Sequence, residues 1–143
     1  MIVKLIIALL VFVPALSSCA QTPSTPKKSP AQQTNSMDTS KLNNATVKAA
    51  INALQSGSKK EWFDLFTAEA ELYDDGNKMN FHSFFDKAIG HERFFSIDKA
   101  ENDGKDIYGR FHSDQWGDFK TFFKFHINAG GKITRLDIGQ ANY

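Results

Sequence analysis

At Gly90 the apolar residues stop recurring at the three-and-four spacing of a helix, and from there to the end of the chain the helical period is gone. That switch limits the fold more than any compositional figure does. Helices first and strands afterwards is the grammar of an α+β domain whose helices pack on one face of a sheet. Ahead of the switch, Val47, Ala50, Ile51 and Leu54 mark one face of a helix that starts near Asn43 or Asn44 and stops at Gly57. Ser58 and Glu61 form a capping box for a short second helix carrying Trp62, Phe63, Leu65 and Phe66. Residues 70–73 read as a short strand, closed by the turn Asp74, Asp75, Gly76 and Asn77. Asn80 caps a third helix, whose stripe of Phe81, Phe84, Phe85, Ala88 and Ile89 ends at Gly90.

After the switch, residues 91–99, 105–113, 118–127 and 132–138 are four strands rich in Phe, Ile, Tyr and Thr. The turn sequences between them are short, which predicts an antiparallel meander. In 118–127, alternation turns Phe119, Thr121, Phe123, Phe125 and Ile127 inward and leaves Lys120, Phe122, Lys124 and His126 outside. Phe94 and Phe95 likewise put one ring on each face of their strand. Aromatic rings on the outer face favour self-association as a homodimer.

This order of elements over 42–143, with an aromatic second helix ahead of 68–75, resembles the nuclear-transport-factor-2-like superfamily. That group includes SnoaL-like polyketide cyclases, ketosteroid isomerase and scytalone dehydratase. The resemblance implies a cone-shaped α+β fold, with three N-terminal helices packed on a curved, mostly antiparallel sheet. It also implies a pocket between helices and sheet, and often a dimer through the outer sheet face.

All but one of the chain's 13 phenylalanines lie in this region, and rings in such number first of all fill a core. If part of the cone stays open, Trp62, Phe66, Tyr73, Phe81, Phe85, Phe111, Trp116 and Phe125 are the expected walls. An aromatic wall with a few polar groups suits a small hydrophobic or ring-bearing ligand.

Chemistry of the ketosteroid isomerase type needs a carboxylate base and, opposite it, donors that stabilise an enolate. The first helix here has no tyrosine, so the chain departs from that pattern. Asp74 and Asp75 stand near where the family's base can lie, with Tyr73 beside them, but they sit in a turn sequence. Asp137 on the last strand also reads as a solvated strand residue. His112 with Asp114 would be an acid/base pair of the scytalone dehydratase type, or a structural pair. These three sites do not assemble into a catalytic set. The reading is a non-catalytic domain that binds a small hydrophobic ligand or a partner protein, with two alternatives. One is a cofactor-independent acid/base enzyme of the isomerase, dehydratase or cyclase type, and the other is a filled cone serving only to dock a partner. No cofactor is expected, and His82, His91, His112 and His126 have no spacing that organises a metal site. Phosphate loops, nucleophile elbows and triad signatures are missing from the sequence.

The N-terminus carries a separate message. Lys4, the apolar run 5–13 and Pro14 have the order of an export signal, too short to span a bilayer. Leu16, Ser17, Ser18 and Cys19 then resemble the lipobox of bacterial lipoproteins. Cys19 is the chain's only cysteine, so no disulfide or thiolate site remains for the domain. The resemblance implies a signal peptide over 1–18, cleavage before Cys19, and a diacylglycerol thioether on it, usually with a further acyl chain such as palmitate. Two or more chains anchor stably in a lipid bilayer where one would not. Ala20 is not the aspartate that commonly retains such proteins on the inner membrane. The expected place is the cell envelope, on the outer membrane facing the periplasm if there are two membranes.

Residues 19–41 are Gln, Thr, Ser, Pro, Lys and Asn with almost no apolar side chain, a composition that predicts a disordered tether. A flexible segment of about 20 residues reaches on the order of 25 Å. The net charge is +1, and losing Lys4 with the signal leaves acids and bases nearly equal. There is thus no electrostatic case for a nucleic-acid partner.

Overall fold

The computed structural model describes residues 37–143. The signal segment 1–18, with Leu16, Ser17 and Ser18, and Cys19 with the tether as far as residue 36 lie outside the described residues.

Local signals place the helices. Asn44 caps α1 (Ala45–Ser56), its side chain accepting the Val47 N–H, and Gly57 ends it in the left-handed conformation at φ 70°. Ser58 caps α2 (Lys59–Asp64) by accepting the Glu61 N–H. The Leu65 N–H turns back to the carbonyl of Trp62 and closes α2, so Phe66, expected on that helix, instead opens β1 (Phe66–Asp74). The strand therefore starts earlier than residue 70. Past the tight turn at Asp75 and Gly76 the chain returns as β2 (Asn77–Met79), fully exposed and too short to carry an apolar pattern. Asn80 then caps α3 (Phe81–Ala88).

The four expected strands follow as β3 (Glu92–Glu101), β4 (Asp106–Ser113), β5 (Gly117–Ile127) and β6 (Ile133–Gln140). The sheet order is β2-β1-β6-β5-β4-β3. Every neighbouring pair is antiparallel except β1 with β6, which run parallel with Leu72 opposite Leu136. That one parallel pairing joins the helical half of the chain to its last strand.

The helices lie on one face of this mixed sheet and bury Val47, Ala50, Ile51, Leu54, Trp62 and Phe85 against Phe94, Ile107, Phe123, Phe125, Ile133 and Leu136. Trp62 sits at the centre with no exposure, its ring centroid 5.0 Å from Phe66 and 4.5 Å from Phe85. Register shifts in β3 on either side of Ser96 bring its backbone over β4. At that point β4 has Gly109, where a Cβ would stand 2.1 Å from the Ser96 carbonyl oxygen. A residue with a side chain would push the two strands apart.

Residues ahead of 42 also pack on the domain. Met37 touches the core, and the Lys41 ammonium donates to the carbonyls of Ile97 and Asp98 at 3.0 and 2.9 Å.

On the outer sheet face the aromatic rings are partly roofed by their own neighbours. Lys99 lies 4.3 Å from the Tyr108 centroid, Lys124 lies 5.2 Å from Phe122, and the Arg135 guanidinium is 4.0 Å from Tyr73. Phe95, 45% exposed, is the large apolar ring most open there.

Candidate functional site

The aromatic core stops short of one end of the sheet. There α3, the starts of β3 and β5, the ends of β4 and β6, and the β1–β2 turn enclose a cavity of about 960 Å³. Phe84 comes from α3, Phe111 from β4, and Phe119 and Phe123 from β5, with Trp116 at the rim, 72% exposed. These rings meet one another: Phe111 is 5.8 Å from Phe119 and 5.5 Å from Phe123 by centroid. A volume of this size suits a drug-sized molecule.

Of the eight side chains expected as walls, Phe111 and Trp116 line this space. Trp62, Phe66, Phe81 and Phe85 pack on one another beneath α2 and α3, where they fill the interior. Phe125 is buried beside Phe123, deeper along β5 than the cavity reaches. Tyr73 follows the inward Leu72 and so turns to the opposite face, under Arg135.

Of the polar groups of the cavity, Asp74, Asp75 and Asp114 were named from the sequence, whereas Glu92 and Ser113 were not. Glu92 and Ser113 are directly opposite in the β3–β4 register, and both line the cavity. Phe94, two residues on from Glu92, is buried, and that spacing is the signal that could have found the glutamate. Burial pushes the Glu92 carboxyl above the ordinary range; a hydrogen bond from Ser113 opposes this, while the charges of Asp74 and Asp114 add to it. Asp74, on the far wall, is also pushed up, by burial first and by the adjacent Asp75 second.

A raised carboxylate has a consequence for stability. The folded chain holds the Glu92 proton more tightly than the unfolded chain does, so stability falls as pH rises from the ordinary glutamate range through the folded value. Glu92→Gln should therefore melt with the wild type near pH 4 and above it at pH 7.5, read by thermal unfolding at both pH values. A variant that melts lower at pH 7.5 would mean the charged carboxylate stabilises the fold.

The three weaker candidates have structural partners. Asp75, at φ 45°, donates its N–H to Ile138 and accepts the Gln140 N–H at 3.1 Å, tying the β1–β2 turn to β6. Asp137 is on the outer face, held by Arg135 at 2.6 Å and His126 at 2.7 Å. His112 is also on the outer face of β4. It is bonded to Asp118 at 2.6 Å and to Asp114 at 3.2 Å, and Asp114 in turn bonds His91 at 2.9 Å. The expected His112–Asp114 contact is thus present within a chain of alternating His and Asp, of which His91 and Asp114 reach the cavity rim. Among the described residues no three His, Cys, Asp or Glu side chains converge as metal ligands.

No known family profile matches this chain, and neither does any curated protein sequence. Solved structures do match. A nuclear-transport-factor-2-like protein of unknown function from Cytophaga hutchinsonii aligns at TM-score 0.55 and 12% identity, over 67% of this chain and 87% of that one. A polyketide-cyclase-type protein from Sinorhizobium meliloti aligns at 0.54 and 16% identity, over 65% and 92%. The orange carotenoid protein of Anabaena, in a structure binding canthaxanthin, aligns at 0.55 and 20% identity over 68% of this chain but only 35% of its own length. At these identities the likeness is one of fold: helices packed on a six-stranded, mostly antiparallel sheet in the nuclear-transport-factor-2-like arrangement.

Proposed function

We propose that this nuclear-transport-factor-2-like domain binds a small, largely hydrophobic ligand without transforming it. In this reading the domain is presented from the cell envelope on a tether ending in a lipidated Cys19. The observation that carries the binding half is the aromatic cavity of about 960 Å³, open at one end and lined by Phe84, Phe111, Phe119 and Phe123. The fold is also that of a protein bound to canthaxanthin. The anchor rests on Leu16, Ser17, Ser18 and Cys19, followed by the polar segment that holds Pro23, Pro26 and Pro30. With Ala20 after the cysteine, the outer membrane is the assigned site in a cell with two membranes.

Catalysis is the second reading, and one observation favours it: Glu92 faces the cavity with its carboxyl held above the usual range. Binding is preferred because the hydroxyl and the imidazole that an acid/base reaction would recruit beside the carboxylates of Asp74 and Glu92 are engaged. The Thr121 hydroxyl donates to the Gly139 carbonyl at 2.8 Å, and His91 is tied to Asp114 at the rim. Self-association through the outer face belongs to the same proposal, with Phe95 as the ring offered.

Native mass spectrometry of the mature protein released from its own host's envelope tests this. The expected result is a reproducible added mass of a few hundred daltons, and the compound recovered should leave unchanged on prolonged incubation. Conversion of that compound would establish the enzyme instead, and a species bare under gentle conditions would remove the ligand. The same spectra separate monomer from dimer.

A further inference from the structure

The cavity has more negative charge than its own side chains offset. Asp74 and Glu92 both face it, and among the described residues neither takes part in an ion pair. The other two acids on its wall are committed elsewhere. Asp75 accepts a backbone N–H from Gln140, and Asp114 is shared between His91 and His112. The cations facing the same space are Lys87, exposed in the last turn of α3, and His91, exposed at the rim. Asp74 and Glu92, the latter with its hydrogen bond from Ser113, share the cavity with the rings of Phe111, Phe119 and Phe123, whose faces carry partial negative charge. Rings and carboxylates together attract one kind of ligand head strongly, an organic cation that sheds little hydration on entry.

We propose that the ligand of this cavity is a monocation, an amine or quaternary ammonium on an apolar body, held with its charge between Asp74 and Glu92 and its body against the phenylalanines. This rests on the binding reading above and narrows it to a chemical class. A cation relieves the mutual repulsion of the two acids and stabilises the ionised forms that burial disfavours. A neutral ligand could accept one hydrogen bond from protonated Glu92 but would leave Asp74 unanswered.

Charge and shape can be separated with benzyltrimethylammonium and neopentylbenzene, which have the same outline with nitrogen exchanged for carbon. Both are titrated into the full mature chain carrying Cys19→Ala, followed by calorimetry and by Trp116 fluorescence. The cation should bind at least about tenfold more tightly than the hydrocarbon at pH 7.5, a difference appropriate to a partly desolvated charge. Its affinity should fall as pH drops through the range where Asp74 and Glu92 take up protons, with Asp75, Asp114, Lys87 and His91 as the other titrating groups in view. Binding should release protons at intermediate pH. Glu92→Gln should cut the cation's preference over the hydrocarbon about tenfold, and its folding is checked independently by the thermal unfolding described above. If the two probes bind alike, or the hydrocarbon binds better, the cation is wrong while the hydrophobic cavity stands. If neither binds at millimolar concentration, both readings fall.

Discussion

Trp62→Ala should remove about 3–5 kcal/mol from the stability of the domain, the range for truncating a large aromatic in a packed core. Trp62 has no exposed surface and is in ring contact with Phe66 and Phe85, so the void left by alanine opens where α2, α3 and β1 meet. α2 is a single short turn-and-a-half whose buried residue is Trp62 itself, so the contacts left around the void are Phe63 with Phe81 and His82, and Phe66 with Phe81. Against a typical total of about 5–15 kcal/mol, such a loss leaves a chain that is marginal or unfolded at growth temperature. Trp62→Phe is the informative companion. The indole N–H is buried with no hydrogen-bond partner, so phenylalanine gives up some volume but also removes an unanswered donor. Its loss should be about 1 kcal/mol, within the range of volume-tolerant aromatic swaps. Urea unfolding of the three proteins decides this; equal losses for Ala and Phe would show that the indole N–H, rather than ring packing, is what Trp62 contributes.

An all-or-none effect is expected at the other end of the chain. Cells fed alkyne-tagged palmitate should label the wild-type protein strongly and a Cys19→Ala variant only at background, since Cys19 is the sole thiol available. At ~0.8 kcal/mol for each buried methylene, two or more acyl chains make release from the bilayer negligible, so the labelled form should pellet quantitatively with membranes. Equal labelling of both forms would remove the anchor from the proposal, and the cavity would then belong to a protein held in the envelope by other means.

Cys19 and Trp62 differ in how much of their role is local to the chain. The cysteine motif is a contiguous string, and nothing about the folded domain alters its reading. Much of the fold is local in the same sense. Asn44, Ser58 and Asn80 each cap the helix they were expected to cap, and Gly57 ends α1. The strands of the meander fall within two residues of the predicted limits, since turn residues and alternation act over short stretches of chain.

The site was less legible. Rings were expected around a pocket, but a phenylalanine reads the same whether it fills a core or faces a cavity. What sorts Phe85 from Phe84, or Phe125 from Phe119, is where the helices end relative to the sheet. Glu92 went unnoticed because adjacent Phe94 and Phe95 leave the facing of β3 ambiguous until the register with β4 is known; once Phe94 pairs with Phe111, Glu92 must face Ser113. His112 and Asp137 show the converse. Both have polar partners close by, and both belong to the outer face.

By itself, then, the sequence determined the order and kind of the elements apart from β2 and the early start of β1, together with the helix caps and the inward set of β5, all of which follow from interactions within a few residues. The parallel joining of β1 to β6, the filling of one end of the cone by Trp62 and its neighbours, and the opening of the other between Asp74 and Glu92 were decided only by tertiary structure. These depend on contacts between residues far apart in the chain, and the free energy that selects them comes from packing the whole core at once.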